Sequence, residues 1–224
     1  MLITTTPATA YPVTLTEAKT QIGIDASETG FDTQITGLIA AATANAEAVT
    51  KLRLMPQVVQ LLVPHFPGSS VTSRALEDAG NDCREVVPSH CARRGALDLI
   101  AAPVKTVDAV AYTDENGSAQ TLTGGGVGYW ALGMAQGTLY PFLVPEFVEG
   151  WPATQKGKPD AVTITMTVGY DSAADIPGDI KIAILMRVHE LFDNRGETTA
   201  GTIIAKNLNS MATMLAPHCR VRAG

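Results

Sequence analysis

Cysteine and histidine residues with the chemistry to bind a metal lie close together in the stretch "CREVVPSHC", which contains Cys83, His90 and Cys91. Thiolate and imidazole groups are the ligands that structural zinc prefers. The two cysteines stand eight positions apart, however, and this is not the spacing of a zinc knuckle. Further donors, His65 or the C-terminal "HC" pair, come from distant segments. We therefore predict no metal site and interpret the thiols as unpaired cysteines in a long loop.

Motifs for nucleophilic catalysis or phosphate binding are incomplete. His90 and Cys91 are sequence neighbours, whose side chains rarely face one another productively, and no elbow motif surrounds any serine or cysteine. The glycine run "TGGGVG" (123–128) lacks the lysine of a phosphate loop and does not open a helix. His189 and Glu190 face different directions on a predicted helix. We predict no catalytic residue, no cofactor and no enzymatic activity.

Composition limits the kinds of partner. The 224 residues are 46% hydrophobic but only 17% charged, which is low for the surface of a free monomer. A net charge of −6 and a pI near 5.2 do not favour binding to nucleic-acid phosphates. Three cysteines fit a reducing compartment, and we expect neither a membrane-spanning run nor a signal peptide. Some apolar surface is therefore expected to need a protein partner.

Helices are predicted at both ends of the chain. Thr14 and Glu17 form a capping-box pattern that starts a short helix over 15–22. Apolar residues at helical spacing predict a longer helix over 32–52. Two further helices are predicted, over 179–195 and 208–215.

The middle of the chain is predicted to be rich in strands. The alternation "VTITMTV" (162–168) indicates a half-buried strand, and Asn116-Gly117 indicates a hairpin turn. Residues 68–95 are polar and irregular and are interpreted as a long loop. The fold class is therefore α+β, with a base of four helices and a β-rich insertion between the second and third. We predict one domain over 1–224, made of these parts: a helical base at 13–55 and 175–217, a β-rich insertion at 56–172 and a tail at 218–224.

Two of the predicted helices have a second face that the core does not require. The 179–195 helix has a broad apolar face and a smaller one, and the 32–52 helix is lined by alanines opposite its apolar stripe. Alanine is also simply a good helix former, so the alternative that these alanines only favour helix formation stays open. We predict that these second faces contact another copy of the chain through the following residues: Ala40, Ala44, Ala48, Ile182, Met186, His189 and Asp193.

Several segments occur in a characteristic order. They are "LTEAK" after Thr14, an alanine-rich helix ending near "MPQ" (55–57), and a block from "WP" (151–152) through "GY" and "IP" to "ELFDNRG" (190–196). Together they resemble the head–tail connector, or adaptor, proteins of long-tailed bacteriophages and related gene-transfer particles. The resemblance covers about residues 13–217. The polar segment 68–95 is longer than this family leads us to expect.

The resemblance implies a virion structural protein at the head–tail interface, made in the cytoplasm of a bacterial host. Family members assemble as closed rings, typically dodecamers, between the portal protein and the tail terminator or stopper. Such a ring extends the channel through which genomic DNA passes without sequence-specific binding. No membrane partner is implied.

The C-terminal segment is the candidate for portal docking, because it is basic in an otherwise acidic chain. The residues expected to take part are Lys206, Leu208, Met211, Leu215, Arg220 and Arg222. One alternative function is a β-domain that binds a carbohydrate or peptide through aromatic residues at 129, 130, 140, 151 and 170. The other is a hydrolase that uses His90 or His189.

Overall fold

The structure, a computed structural model, describes residues 1–67, 95–124, 128–132, 140–145, 150–194 and 210–220. Within these residues the fold is α+β, as predicted, with four α-helices, one 3-10 helix and eight strands. The chain divides into two compact units, one made of Met1–Pro7 and Gln57–Val168 and the other of Ala8–Pro56 and Gly169–Gly224. We call them the β unit and the helical unit.

The β unit is a mixed sheet of eight strands, in the order β1-β2-β8-β4-β5-β6-β7-β3. Neighbouring strands are antiparallel except β5 and β6, which are parallel. The strands are as follows: β1 Leu2–Thr6, β2 Gln57–Val63, β3 Leu97–Asp98, β4 Val104–Thr113, β5 Ala119–Gly124, β6 Gly128–Leu132, β7 Phe142–Pro145 and β8 Val162–Val168.

Strand β8 confirms the alternation seen in the sequence. Val162, Ile164, Met166 and Val168 are buried, whereas the threonines between them lie on the opposite, half-buried face. Because β8 is hydrogen-bonded to both β2 and β4, it organises the core of the β unit. The core is completed by a stack of Phe66 on the Trp151 ring, with 4.6 Å between centroids.

The predicted hairpin at Asn116-Gly117 is confirmed between β4 and β5. Asp114 Oδ1 accepts hydrogen bonds from the backbone of Asn116 and Ser118, and Gly117 has a φ of +84°. Glycine adopts this left-handed conformation without steric cost, which is why the Asn-Gly signal located the turn correctly.

The helical unit contains α1 Leu15–Ile22, α2 Asp32–Thr50, α3 Gly178–Asp193, α4 Ser210–Leu215 and a 3-10 helix at Ala216–His218. The capping box of α1 is confirmed, since Thr14 Oγ1 accepts from Glu17 N and Glu17 Oε2 accepts from Thr14 N. Helix α2 ends two residues earlier than predicted because Lys51 is left-handed, with a φ of +60°.

A buried lysine holds the connection between α1 and α2. Lys19 is only 3% exposed, and its Nζ donates to the carbonyls of Ala26 and Glu28 and lies 2.5 Å from Asp32 Oδ1. A buried cation is tolerated only where its donors are satisfied in this way. Lys19 therefore fixes the loop that sets where α2 begins.

Candidate subunit-contact surface on the helical unit

The core faces of α2 and α3 account for only part of each helix. The buried residues of α2 are Ile35, Ile39, Ala42, Thr43, Ala46 and Thr50, and those of α3 are Ile180, Ala183, Ile184 and Val188. At 3.6 residues per turn each set covers one side of its helix and leaves the opposite side outside the core.

The outer face of α3 carries apolar and titratable groups together. Ile182 is 50% exposed, one of the most exposed large hydrophobic side chains of the described residues, and Met186 follows it one turn later, half-buried. His189 Nε2 lies 3.2 Å from Asp193 Oδ2, an ordinary ion-pair geometry between residues one helical turn apart. The structure therefore brings these four predicted contact residues onto one stripe, opposite the core.

The outer face of α2 is lined by small residues. Ala44 and Ala48 are exposed there, as the sequence suggested, together with Gly37 and Ala41. Ala40 is half-buried and flanks this stripe. The helix has no charged residue between Thr33 and Ala46, and a Cβ added at Gly37 would meet nothing within 4 Å. An exposed helix face without charges is unusual for a surface that only water contacts.

The C-terminal segment is docked on the helical unit up to residue 220. Leu215 is fully buried, and the backbone N–H of Arg220 donates to Thr50 O at 3.0 Å. The side chain of Leu215 therefore anchors α4 in the core and is not an exposed docking contact.

His218 joins this segment to the first turn of α3, with its Nε2 2.5 Å from Asp179 Oδ2. Partial burial raises the pKa of the Asp179 carboxyl. The hydrogen bond and charge of His218, together with the backbone N–H of Ile180, outweigh that effect and hold the pKa of Asp179 below its ordinary value.

The remaining candidate residues fall in two places. Met211 lies half-buried on α4. Lys206, Leu208 and Arg222 lie outside the described residues, as do Cys83, His90, Cys91, the centre of the 123–128 glycine run and most of the 68–95 segment. Among the described residues no group of three or more His, Cys, Asp or Glu side chains is arranged to hold a metal ion.

The aromatic residues of the proposed binding alternative are largely used inside the protein. Tyr129 and Tyr170 are each 4% exposed, and Trp151 is stacked on Phe66 while its Nε1 donates to Gly95 O. Burial is the main cause that raises the pKa of both tyrosines. Tyr140 is exposed, at the start of the segment that leads into β7.

A surface cavity of about 470 Å³ lies on the β unit, beside the β4–β5 turn. Its lining includes His65, Glu115, Thr154, Lys156 and Lys158. Lys158 Nζ donates to Thr113 Oγ1, so this lysine braces the end of β4. The cavity brings charges of both signs to one open site, without the nucleophile and base pairing that hydrolysis requires among its described lining residues.

Sequence reasoning missed several parts of this surface. Gly37 extends the outer stripe of α2 beyond the alanines that the sequence indicated, and a helical projection of the α2 sequence alone places it there. The His218–Asp179 contact joins residues 39 positions apart and has no local signal.

Comparison with known proteins identifies the fold. No protein-family model matches the chain, and no curated protein matches it significantly. Solved structures do match. A chain in the neck of an empty GTA particle, computed with C6 symmetry, aligns with a TM-score of 0.70 and 17% identity, over 100% of this chain and 97% of that one.

A chain in the virion of a native gene transfer agent particle aligns over the same shares with a TM-score of 0.69 and 17% identity. A chain in the neck of a native GTA particle computed with C12 symmetry gives 0.64, also at 17% identity. The likeness spans the whole chain, so the α+β fold as a whole is shared with these neck and virion chains. No described helix is long and apolar enough to cross a bilayer.

Proposed function

We propose that the chain is a non-enzymatic virion structural protein, an adaptor that forms a ring between portal and tail. The observation that carries this proposal is the end-to-end structural likeness to chains from the neck of gene transfer agent particles. The order of sequence motifs, which resembles that of head–tail connectors, supports the same proposal independently of the fold.

The architecture we propose is a helical base with a β-rich insertion between its second and third helices. The helical unit is built from Ala8–Pro56 and Gly169–Gly224, and all but a short N-terminal strand of the β unit is contributed by the chain between them. Gly169 marks the return to the helical unit, where a Cβ would lie 2.2 Å from Met55 O.

A closed ring requires two different complementary patches on every subunit, because each copy meets its two neighbours through opposite sides. The outer faces of α2 and α3 provide such patches: one small and uncharged, the other bulky and partly apolar. We propose that Ala44, Ala48, Ile182, Met186, His189 and Asp193 take part in subunit contacts, with Ala40 at their edge. The symmetric necks in which the similar chains occur make six- or twelve-fold closure the expected form.

The net charge supports the proposed channel function. With a net charge of −6, the subunit is expected to form few ion pairs with DNA phosphates. Weak contacts that do not depend on sequence allow duplex DNA to slide. We propose genomic DNA as a transient passenger, and the portal and the tail terminator or stopper as the stable partners at either end.

For portal docking we propose the surface beyond the buried Leu215, using Arg220, Arg222 and the flanking Lys206, Leu208 and Met211. Removing the chain after Thr213 would delete a core side chain, so such a truncation tests folding as well as docking. Deletion of residues 221–224, which removes Arg222 and keeps the buried Leu215, is sharper. We expect lost co-sedimentation with portal and an unchanged unfolding curve; full co-sedimentation would overturn the docking assignment.

The position of the chain in a particle tests the proposal as a whole. A short affinity tag inserted at the exposed Asn116–Gly117 turn leaves the core intact. Electron microscopy of particles labelled at this tag is expected to place the label at the junction of head and tail. Label on the capsid shell, on tail fibres or on no particle would refute an adaptor role.

A further inference from the structure

Helices α2 and α3 run in opposite directions within the helical unit. The ring of Phe31, just before α2, meets the ring of Phe192 in the last turn of α3, with 5.9 Å between centroids. At the other end, residues 218–220 contact both Asp179 in the first turn of α3 and Thr50 in the last turn of α2. The start of each helix therefore lies beside the end of the other.

The outer faces of the two helices share a spacing and differ in bulk. On α2 the exposed small residues follow one another in steps of four, three and four: Gly37, Ala41, Ala44 and Ala48. On α3 the same steps separate larger side chains: Ile182, Met186, His189 and Asp193. Both stripes lie opposite the buried face of their helix, and equal steps give them equal length at about 1.5 Å per residue.

We propose that the bulky stripe of α3 on one copy packs antiparallel against the small-residue stripe of α2 on the next copy. This inference rests on the proposed ring. Rotation by one sixth or one twelfth of a turn changes the direction of a helix only moderately, so α2 of the neighbour still runs against α3. Ridges of large side chains then fit into the groove left by glycine and alanine.

Charge favours the antiparallel register. In the antiparallel alignment Ile182 faces Ala48. Lys51, the exposed residue that caps the C-terminal end of α2, then lies at the end nearest the first turn of the neighbour's α3, where Asp179 is 41% exposed and already hydrogen-bonded to His218. At the opposite end Asp193 faces Gly37 and is already paired with His189. A parallel alignment would instead place Asp179 beside the first turn of α2, where the charged residue is the like-charged Asp32. The antiparallel register therefore adds an opposite-charge contact between copies.

Mixing two single-cysteine variants tests the contact, because only intermolecular bonds can then form. In a background with Cys83, Cys91 and Cys219 replaced by serine, Ala48→Cys and Ile182→Cys are purified separately. They are mixed at high concentration and treated with a short bis-maleimide. Because this reaction is irreversible, crosslinked dimers accumulate even when each contact is brief. Both positions are exposed, so folding is not at risk.

We expect covalent dimers in the mixture of Ala48→Cys with Ile182→Cys, at least about ten-fold above either variant alone, since a heterologous contact does not place a residue against itself. The control mixture, Gly37→Cys with Ile182→Cys, matches the parallel register and is expected to stay monomeric. Crosslinking in the control mixture or in either variant alone would overturn the inference. Absence of crosslinked dimers from the Ala48→Cys and Ile182→Cys mixture would overturn it as well. The tag position in particles is measured separately, so a correctly placed chain with failed crosslinks refutes this contact and leaves the adaptor role standing.

Discussion

The imidazole Nε2 of His218 lies 2.5 Å from Oδ2 of Asp179, and this contact ties the C-terminal 3-10 helix to the first turn of α3. Together with the buried Leu215 it holds residues 210–220 against the helices on which we place the subunit contacts. This side-chain pair and the backbone hydrogen bond from Arg220 to Thr50 therefore hold the described end of the chain to the helical unit.

Replacing Asp179 by asparagine should flatten the acid dependence of stability. The folded-state pKa of Asp179 is lowered, so its contribution is present above the unfolded pKa and is lost as pH falls through the folded pKa. Urea unfolding from pH 6 down to about pH 3 should show a shallower loss of stability for Asp179→Asn than for the natural chain. Solvent screening at this exposed carboxyl limits the effect at neutral pH to about 1 kcal/mol or less.

Asp160→Asn is the matched control, because Asp160 is an exposed carboxylate of the β unit. It should follow the natural curve. Equal acid slopes for Asp179→Asn and the natural chain would show that the His218 contact does not form in solution.

Replacing Lys19 by methionine should destabilise the helical unit. The substitution leaves the carbonyls of Ala26 and Glu28 and the carboxylate of Asp32 without their shared donor. Lys19 is buried but the Asp32 side chain is 34% exposed, so we expect a cost of about 2 kcal/mol, most of it from the two carbonyl groups left without a donor. Chemical denaturation followed by circular dichroism measures the change in the free energy of unfolding. Lys156→Met, on an exposed loop of the β unit, is the control and should stay within about 0.5 kcal/mol of the natural chain. Equal stability of the two variants would contradict the proposed role of Lys19.

A methyl group at Gly169 should be poorly tolerated. Gly169 has a φ of +104°, and a Cβ would lie 2.2 Å from Met55 O, so the backbone must shift. We expect Gly169→Ala to lower the free energy of unfolding by at least about 2 kcal/mol. Gly178→Ala, where nothing lies within 4 Å, is the comparison and should be neutral or slightly stabilising. A neutral Gly169→Ala would mean that the two chain segments are not in this close approach.

Substitutions at Ile182 and Ile184 distinguish a role in contacts between copies from a role in folding. Ile182 is 50% exposed, whereas Ile184 is fully buried two residues later on the same helix. Ile182→Ser should leave the melting temperature nearly unchanged and reduce incorporation into particles by about ten-fold or more, as loss of an interface anchor does. Ile184→Ala should cost about 2–5 kcal/mol through a core cavity. Normal incorporation of Ile182→Ser would argue against the outer face of α3 as a contact.

Local patterns were sufficient for much of the fold. The capping box at Thr14, the alternation of β8 and the Asn116-Gly117 turn each encode their geometry within a few residues, and all three were located correctly. The end of α2 was missed by two residues, because a left-handed lysine stops the helix where the apolar pattern continues.

Contacts between distant segments were not predictable in the same way. The strand at Leu2–Thr6 pairs with β2 across more than fifty residues, although its sequence gives no alternation. Leu215 was predicted to take part in docking because it belongs to the short helix before the basic tail, whereas the fold buries it. The outer stripes of α2 and α3 were visible as second faces, but their matching steps become meaningful only once the helix directions are known.

The number of copies of this chain per particle tests the central proposal most directly. Electron cryo-microscopy of the head–tail junction, refined without imposed symmetry, is the measurement. We predict six or twelve copies in a closed ring around the DNA channel, with α3 of each copy lying against α2 of its neighbour. A single copy, or copies whose outer helix faces touch only solvent, would contradict the proposal.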